Sequence, residues 1–266
     1  MLCFNKNKFS KIYEKNNMII KTKFSKIYIC KDKETDKNYI VKIQNPLTNK
    51  NNIRNEIKIL KYINNLDNIC KVLHTEINFC SSYIVFNKFE GVTLQSYLNN
   101  NNPNISDKIN IIKQLLKGFT FIQNKNIIHR DIKSDNIMIN YNNNIEIKII
   151  DFGLSIYQKN LLNFCHNEPC GIYSHMCPEM LSGIYYNASC DTWSLGVVIY
   201  YLLMNDYPYK LNMKNIINYY NFHIDPNKII NTINFNIIKN IELQNLLKKM
   251  LIIERNNRDL INQLKM

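Results

Sequence analysis

One short polar stretch holds the side chains of this sequence that are best suited to chemistry. It lies within residues 127–139, IIHRDIKSDNIMI, where isoleucines stand on both sides of the polar residues. Those polar residues include His129, Arg130, Asp131, Lys133 and Asn136. The pattern predicts a loop between the end of a helix and a short strand, with its charges held at a site rather than in bulk solvent. A solvated polar turn is the alternative.

Three charged residues outside this stretch stand in comparable surroundings. Asp151 follows an apolar run and opens the segment DFG, 20 residues after Asp131. Lys42 belongs to the strand-like segment YIVKI, where we expect it to face inward, although a single lysine in a strand is more often exposed at an edge. Glu56 follows Lys42 by 14 residues, in a segment whose apolar residues have helical spacing. These residues are candidates for the same chemical task as the polar stretch.

The polar stretch resembles the catalytic loop of eukaryotic-type protein kinases, HRDxKxxN, at every defining position, and Asp151 stands in their DFG motif. The similarity extends from about Tyr13 to Arg258. It implies phosphoryl transfer from ATP, which requires positioned phosphates, a metal ion and a nucleophile. Lys133, two residues after Asp131, is typical of serine/threonine kinases, so Ser and Thr hydroxyls of protein substrates are the implied acceptors.

The resemblance also implies a role for each polar residue. Asp131 would accept or orient the proton of the substrate hydroxyl, with Lys133 as the second catalytic residue. Asp151 would hold the bridging Mg²⁺ and Asn136 a second Mg²⁺. The phenylalanine after Asp151 would pack beneath it, and Gly153 would permit the turn.

ATP binding is implied for residues in the first third of the chain. Lys42, paired with Glu56, would direct its ammonium group to the α- and β-phosphates. Phe86 would be the gatekeeper of the adenine site, and residues 87–89 would offer it backbone groups. The full set of implied nucleotide contacts is Lys42, Glu56, Ile19, Ile20, Lys21, Thr22, Lys23, Phe24, Ser25, Ile27, Ile40, Phe86, Asn87, Phe89 and Met138.

The loop that would cover the phosphates departs most from the family pattern. Ile20, Thr22 and Ser25 occupy the three positions at which the pattern GxGxxG requires glycine. Glycine lets the backbone approach phosphates closely, so weaker nucleotide binding is expected. Lysines at positions 21, 23 and 26 could partly substitute with side-chain charge. Ile40, two residues before the strand lysine, is bulkier than the alanine usual there.

The segment after DFG departs as well. Ile172 stands where serine/threonine kinases generally have a threonine that bonds the catalytic Asp and Lys, which puts substrate docking in doubt. Residues 156–171 contain no Ser or Thr, and Tyr157 is their only hydroxyl. In the family, the arginine at the position of Arg130 normally binds a phosphate on this segment. Because the segment has no Ser or Thr, we predict activity that does not depend on phosphorylation there. Glu168 could supply a fixed negative charge instead.

The C-terminal part of the resemblance concerns structural residues. Residues 176–179, MCPE, match the end of the activation segment, and Arg258 matches the arginine that pairs with Glu179. Residues 191–196 match the DxWSxG opening of a large helix, from which Asp191 would brace the backbone of the catalytic loop.

The hydrophobic periodicity predicts strands first and helices afterwards. Strands are expected in residues 13–43 and 69–86, with a helix at 51–65 between them. The predicted later helices are 94–98, 106–123 and 191–204, with weaker patterns at 214–222 and 240–253. The fold class is therefore α+β, with the two-lobed protein kinase fold. We expect one domain, 1–266, with a small β-rich N-lobe with one helix (about 1–86), a hinge (87–91) and a larger, mainly α-helical C-lobe (about 92–266).

Charge and cysteine content bear on partners. The net charge is +13, and residues 1–90 hold 17 Lys and Arg against 8 acidic residues. A basic surface of this kind could attract acidic substrates or nucleic acid, but without a nucleic-acid motif a solvated surface is favoured. The eight cysteines are expected to be reduced thiols. A zinc site is the disfavoured alternative for Cys165, His166, Cys170, His175 and Cys177, because they include no CxxC pair.

The sequence contains neither an apolar run of the roughly 20 residues that cross a bilayer nor the apolar core of a signal peptide. We expect an intracellular, cytoplasmic protein, with a nuclear location also open, no membrane or nucleic-acid partner, and a monomer. The leading hypothesis is an active kinase that uses ATP and Mg²⁺. A pseudokinase that scaffolds or regulates another protein is the alternative, motivated by the missing glycines and Ile172. A basic nucleic-acid-associated protein on a kinase frame rests on charge alone.

Overall fold

A computed structural model describes residues 8–22, 25–79, 81–163, 170–209 and 233–264. The chain divides into two compact units, residues 1–90 and residues 91–266. The division lies inside the stretch 87–91. The first unit is built on a β-sheet and the second is mainly helical, which confirms the predicted fold class. The helix predicted at 214–222 lies outside the described residues.

The first unit holds a five-stranded antiparallel sheet of order β1-β2-β3-β5-β4. Its strands are β1 (Tyr13–Lys21), β2 (Ser25–Asp32), β3 (Asn38–Gln44), β4 (Val72–Ile77) and β5 (Ser82–Asn87). A short helix, α1 (Lys8–Ile12), precedes β1, and α2 (Pro46–Tyr62) connects β3 to β4. The predicted strands are confirmed, and α2 begins five residues before the predicted position 51. Proline is favoured at the first position of a helix, where its missing N–H needs no partner, so Pro46 starts this helix rather than preventing it.

The two faces of this sheet have different partners. One face is covered by an apolar cluster of Phe9, Tyr13, Cys30, Val41 and Val85. Because side chains alternate along a strand, Lys42 lies on the other face, where α2 contributes the buried Ile53, Ile57 and Leu60. The alternation thus separates an aromatic core from the polar side chains of β3.

An identical hexapeptide, KFSKIY, occurs at residues 8–13 and 23–28. The first copy forms α1 and the first residue of β1, whereas residues 25–28 of the second copy lie in β2. Phe9 of the first copy is buried against Tyr13 and Tyr83, with ring centroids 5.4 and 4.6 Å away. Tertiary packing therefore decides the conformation of this segment, since the local sequence is the same in both places.

The second unit contains short strands and most of the helices. Strands β6 (Val92–Thr93), β8 (Ile137–Asn140) and β9 (Glu146–Ile149) form one sheet, and β7 (Ile127–Ile128) pairs with β10 (Ile156–Tyr157). The helices are α3 (Leu94–Asn100), α4 (Ile105–Asn124), α5 (Pro178–Leu181), α6 (Ser189–Met204) and α7 (Ile241–Met250). Helices α3, α4, α6 and α7 agree with the predicted ones within a few residues, whereas α5 was not predicted. No helix in the described part of the chain is both long and apolar enough to span a membrane.

Helix α6 is buried on nearly all sides and organises the second unit. Gly196 lies where α6 crosses α7, and a Cβ atom there would come within 3.0 Å of side-chain atoms of Met250 and Leu251. Any larger residue would require these neighbouring side-chain atoms to move by a few tenths of an ångström. The first turn of α6 carries Asp191, which contacts the polar stretch described below.

Candidate active site

In the first unit, Lys42 and Glu56 form a buried ion pair. Lys42 Nζ donates to Glu56 Oε1 at 2.7 Å, and the two residues are 8% and 1% exposed. The strand alternation turns Lys42 toward α2, and helical periodicity turns Glu56 toward β3. The spacing of 14 residues in sequence thus becomes a direct contact, as we predicted. The pair leaves an ammonium group at the sheet surface whose orientation is fixed by a carboxylate.

Gln44 also contacts this pair, although it belongs to none of the motifs recognised in the sequence. Its Nε2 atom donates to Glu56 Oε2 at 2.9 Å, so both carboxylate oxygens of Glu56 have a donor from β3. Strand alternation places a residue two positions after Lys42 on the same face of β3, so the proximity of Gln44 to Glu56 could have been predicted. Glutamine belongs to no family motif at this position, so nothing singled it out.

The turn between β1 and β2 is closed by hydroxyl groups instead of glycines. Thr22 N donates to Ser25 O at 2.8 Å, and Ser25 N donates to Thr22 Oγ1 at 3.0 Å. Among the described residues of this hairpin none has a positive φ, so Ile20, Thr22 and Ser25 adopt conformations open to any residue. Lys23 and Phe24, both predicted to contact the nucleotide, lie outside the described residues.

The strand register distributes the hairpin side chains between the two faces of the sheet. Ile27 pairs with Lys42, and Ile20 pairs with Ile27, so these three side chains share a face. Lys21 pairs with Lys26, which pairs with a residue of the opposite face. The lysines at 21 and 26 therefore project away from the face that carries Lys42. Ile19 and Ile20 are about half exposed, at 49% and 46%.

The remaining predicted nucleotide contacts lie at three places. Ile40 and Phe86 are cross-strand partners in β3 and β5, and both are half-buried. The backbone N–H of Asn87 donates to Lys71 O at 2.9 Å, which occupies that group within the unit. Phe89 is half-buried, and Met138 is half-buried in β8 of the second unit.

In the second unit, the polar stretch forms a loop between β7 and β8 that ends in a 3₁₀ turn. The predicted loop and the strand after it are confirmed, whereas the element directly before the loop is β7 and not the end of a helix. Lys133 Nζ donates to Asp131 Oδ2 at 2.7 Å. Asn136 Nδ2 donates to the same oxygen and to the backbone carbonyl of Asp131, each at 2.8 Å. Three of the predicted site residues are therefore brought together around a single carboxylate. Two donors on one oxygen hold that carboxylate in a fixed orientation.

Asp191 of α6 stabilises the backbone of this loop, as the DxWSxG motif predicts. Its carboxylate accepts hydrogen bonds from the backbone N–H groups of His129 at 2.6 Å and Arg130 at 2.9 Å. Burial raises the pKa of Asp191, while these hydrogen bonds oppose that shift. Arg130 has a φ of 66°, a left-handed conformation that is unfavourable for its side chain. The contacts to Asp191 stabilise this conformation and so fix the backbone next to Asp131.

Asp151 follows β9 and lies beside Asn136 through the backbone, because Ile150 N donates to Asn136 O at 2.9 Å. Phe152 is buried against the ring of His129, with centroids 4.9 Å apart. The predicted role of Gly153 is wrong in one respect. The left-handed residue of this turn is Asp151, with a φ of 61°, and Gly153 has no positive φ. An aspartate tolerates that conformation better than most residues do.

Asn136 and Asp151 fit a magnesium site by the chemistry of their donors. Both offer side-chain oxygen atoms, the ligands that Mg²⁺ prefers. Their backbones also lie next to each other in the second unit, because the residue before Asp151 donates a hydrogen bond to the Asn136 carbonyl. The described residues contain no group of three His, Cys, Asp or Glu side chains placed to hold a metal ion. Cys165 and His166 of the disfavoured zinc cluster lie outside the described ranges.

The segment before α5 contacts Asp131 through a glycine. Gly171 has a φ of 93°, and a Cβ atom there would come within 3.0 Å of Asp131 Oδ1. Ile172, which replaces the expected threonine, is 43% exposed. His175 is buried, and burial lowers its pKa to about 4, so it is neutral at physiological pH. The segment therefore packs closely on the Asp131 loop without the hydroxyl that the family pattern would supply there.

Glu179 at the start of α5 pairs with Arg258, as predicted. Arg258 Nη1 donates to Oε1 at 2.7 Å and Nη2 donates to Oε2 at 3.1 Å, a bidentate geometry. The guanidinium group also lies 5.1 Å from the ring of Trp193. This buried pair joins the end of the segment to the C-terminal part of the chain.

Arg130 has partners within the second unit that carry no phosphate. Its Nε donates to Leu154 O at 2.6 Å, and its Nη1 donates to the hydroxyl of the buried Tyr186 at 3.2 Å. Glu168, the alternative source of a fixed negative charge, lies outside the described residues. The guanidinium group is thus oriented by a carbonyl and a hydroxyl.

This arrangement supports the prediction that activity is independent of phosphorylation in residues 156–171. Phosphatase treatment of the purified protein should leave its rate of phosphate transfer unchanged within about twofold, because Arg130 already has internal partners. The rate before and after treatment is the measurement, with a phosphoprotein as the control for phosphatase action. A large loss of rate would contradict the prediction.

The comparisons with known proteins agree with this geometry. A family model described as protein kinase domain matches residues 13–265. Calcium-dependent protein kinase 4 of Plasmodium berghei is 30% identical over 212 residues, which cover 76% of this chain and 39% of that protein. Myosin light chain kinase A of Dictyostelium discoideum is 29% identical over 206 residues, covering 75% and 68%. Serine/threonine-protein kinase 33 of Mus musculus is 28% identical over 205 residues, covering 71% and 41%. The chain thus spans about two fifths of the length of the first of these relatives.

Proposed function

The chain belongs to the protein kinase family, and from this premise we propose that it transfers the γ-phosphate of ATP to Ser and Thr hydroxyls of protein substrates. The observation that carries the proposal is the Asp131 carboxylate. Lys133 and Asn136 donate to one of its oxygens, and Asp191 holds the backbone beside it. A carboxylate held in this way is suited to orient a hydroxyl and to accept its proton.

Each polar residue has a distinct task in the proposed reaction. Asp131 takes the proton of the substrate hydroxyl, whose oxygen forms the new bond to the γ-phosphorus as the bond to ADP breaks. Lys133, bonded to Asp131, also stabilises negative charge on the transferred phosphoryl group. Asn136 and Asp151 would hold Mg²⁺, and the ion would neutralise phosphate charge. Lys42, oriented by Glu56, binds phosphate oxygens of ATP.

Two lines support Ser and Thr as acceptors over Tyr. Lys133 stands two residues after Asp131, the serine/threonine pattern. One of the similar proteins is itself named a serine/threonine-protein kinase. For the rest we propose an intracellular, cytoplasmic monomer with protein substrates and no nucleic-acid or membrane partner, organised as a single kinase domain with its hinge at residues 87–91.

The pseudokinase alternative keeps one specific observation in its favour. Ser25 N is bonded to Thr22 Oγ1, so this amide is engaged within the hairpin. Backbone amides of the loop are the groups that usually contact phosphates. A protein that binds no nucleotide would serve as a scaffold or regulator instead.

The proposal is tested by phosphate transfer from radiolabelled ATP with Mg²⁺ to a mixed protein substrate, followed by phosphoamino-acid analysis. We expect phosphoserine and phosphothreonine, with no phosphotyrosine above background, and no transfer when EDTA removes the metal. Predominant phosphotyrosine would contradict the proposed acceptor. Absent transfer together with no nucleotide-induced rise in unfolding temperature would favour the pseudokinase.

A further inference from the structure

We propose that Gln44 is a positioning residue that holds the Glu56 carboxylate in the orientation Lys42 needs. The inference rests on the proposed function, in which Lys42 binds the phosphates of ATP. It assigns a role to a residue that lies outside the motifs of the sequence.

The two oxygens of Glu56 are bonded by two residues of one strand. Lys42 donates to Oε1 at 2.7 Å and Gln44 donates to Oε2 at 2.9 Å. Glu56 is 1% exposed, so its two oxygens depend on protein donors in the native structure. With a single donor, the carboxylate can rotate about the Cγ–Cδ bond of the side chain. With one donor on each oxygen, the plane of the carboxylate is fixed. Gln44 therefore removes the rotation that the ion pair alone would allow.

The amide of Gln44 is itself oriented. Ser82 is fully buried and is the cross-strand partner of Gln44, and its Oγ donates to Gln44 Oε1 at 3.4 Å. A carboxylate only accepts hydrogen bonds, so the reversed amide would set its oxygen against Glu56 and leave its NH₂ group toward Ser82. One orientation of the amide satisfies all three residues. The result is a chain of hydrogen bonds from β5 through β3 to α2.

These hydrogen bonds attach α2 to β3 through both carboxylate oxygens of Glu56. When Gln44 is replaced by an apolar residue, Oε2 stays buried without a donor. The Glu56 carboxylate is then more stable when it turns away from β3 toward other donors. As a result, Lys42 loses the partner that orients its ammonium group. The expected consequence is a lower rate of phosphate transfer with the fold retained.

The test is a double-mutant cycle on kcat/KM for ATP. Gln44→Met keeps the length of the side chain and removes its amide, and we expect a loss of about tenfold, typical of a hydrogen bond to a charged group. In the Glu56→Ala background the same substitution should change kcat/KM by less than about twofold, because the group on which Gln44 acts is gone. Gln244→Met is the matched control, since that amide donates to Phe235 O at 2.9 Å in the second unit.

The outcomes separate this inference from the proposed function. A tenfold loss in both backgrounds would mean that Gln44 acts through general stability, and an unchanged rate in the single variant would mean that it positions nothing; either overturns the inference. If the wild-type protein transfers no phosphate, the proposed function has failed. The same cycle measured on unfolding temperature then decides whether Gln44 and Glu56 are coupled, with additive shifts as the contradicting result.

Discussion

Replacing Asp131 by Asn is expected to lower kcat by about a thousandfold while the protein stays folded. Asn has nearly the same shape but carries no charge, so it cannot accept the proton of the substrate hydroxyl. The surrounding donors add to the effect, because Lys133 and Asn136 both donate to Asp131 Oδ2 in the native protein. An amide there would satisfy them less well. The measurement is kcat at saturating ATP and substrate.

Two controls make this prediction specific. Asp135→Asn removes an exposed carboxylate of the same loop, and its kcat should stay within about twofold of the wild-type value. The unfolding temperature of Asp131→Asn should lie close to that of the wild type. A loss of less than tenfold for Asp131→Asn would show that this carboxylate is not the base of the reaction.

The largest expected effect on stability comes from the buried pair of Arg258 and Glu179. Arg258→Leu should lower the free energy of unfolding by about 3–5 kcal/mol, because it leaves the Glu179 carboxylate buried without its partner. All five N–H groups of Arg258 have acceptors, since the guanidinium also donates to the carbonyls of Ser189, Ile252 and Ile253. Unfolding temperature reports the change, with an expected decrease of about 10 °C.

The double variant Glu179→Leu/Arg258→Leu provides the control for this mechanism. Removing both charges leaves no uncompensated carboxylate, so the double variant should be more stable than Arg258→Leu alone. If the double variant is less stable than the single one by a further equal amount, the loss comes from packing rather than from the unpaired charge. That result would contradict the explanation.

Residues that belong to spaced motifs could be placed from the sequence. The pairing of Lys42 with Glu56, the bracing of the loop by Asp191 and the bond between Arg258 and Glu179 all follow from side-chain types at recognisable separations. These contacts involve charged groups that are expensive to bury without a partner. The requirement for a partner is what makes them predictable.

Other features depend on tertiary structure and gave no such signal. Tyr186 supplies a hydroxyl to Arg130 from 56 residues away, and no local pattern links the two. The hydrogen bond from Ser25 N to the Thr22 hydroxyl closes the turn at positions where the family pattern has glycines, and that pattern gives no indication of it. Lys21 was expected to substitute for the missing glycines, and the register of β1 and β2 was needed to show which face it occupies.

The most direct test of the central claim is Mg·ATP-dependent phosphate transfer to protein by the wild type, with Lys42→Met and Asp151→Asn assayed beside it. One variant removes the proposed phosphate-binding ammonium group and the other a proposed magnesium ligand. We predict transfer to Ser and Thr by the wild type and loss of transfer in both variants. Asp151→Asn should unfold close to the wild-type temperature, whereas Lys42→Met should unfold at a lower temperature but stay folded under assay conditions, because it leaves the buried Glu56 carboxylate without its cation. Equal transfer by all three proteins, or none by the folded wild type, would contradict the proposal that this chain is an active kinase.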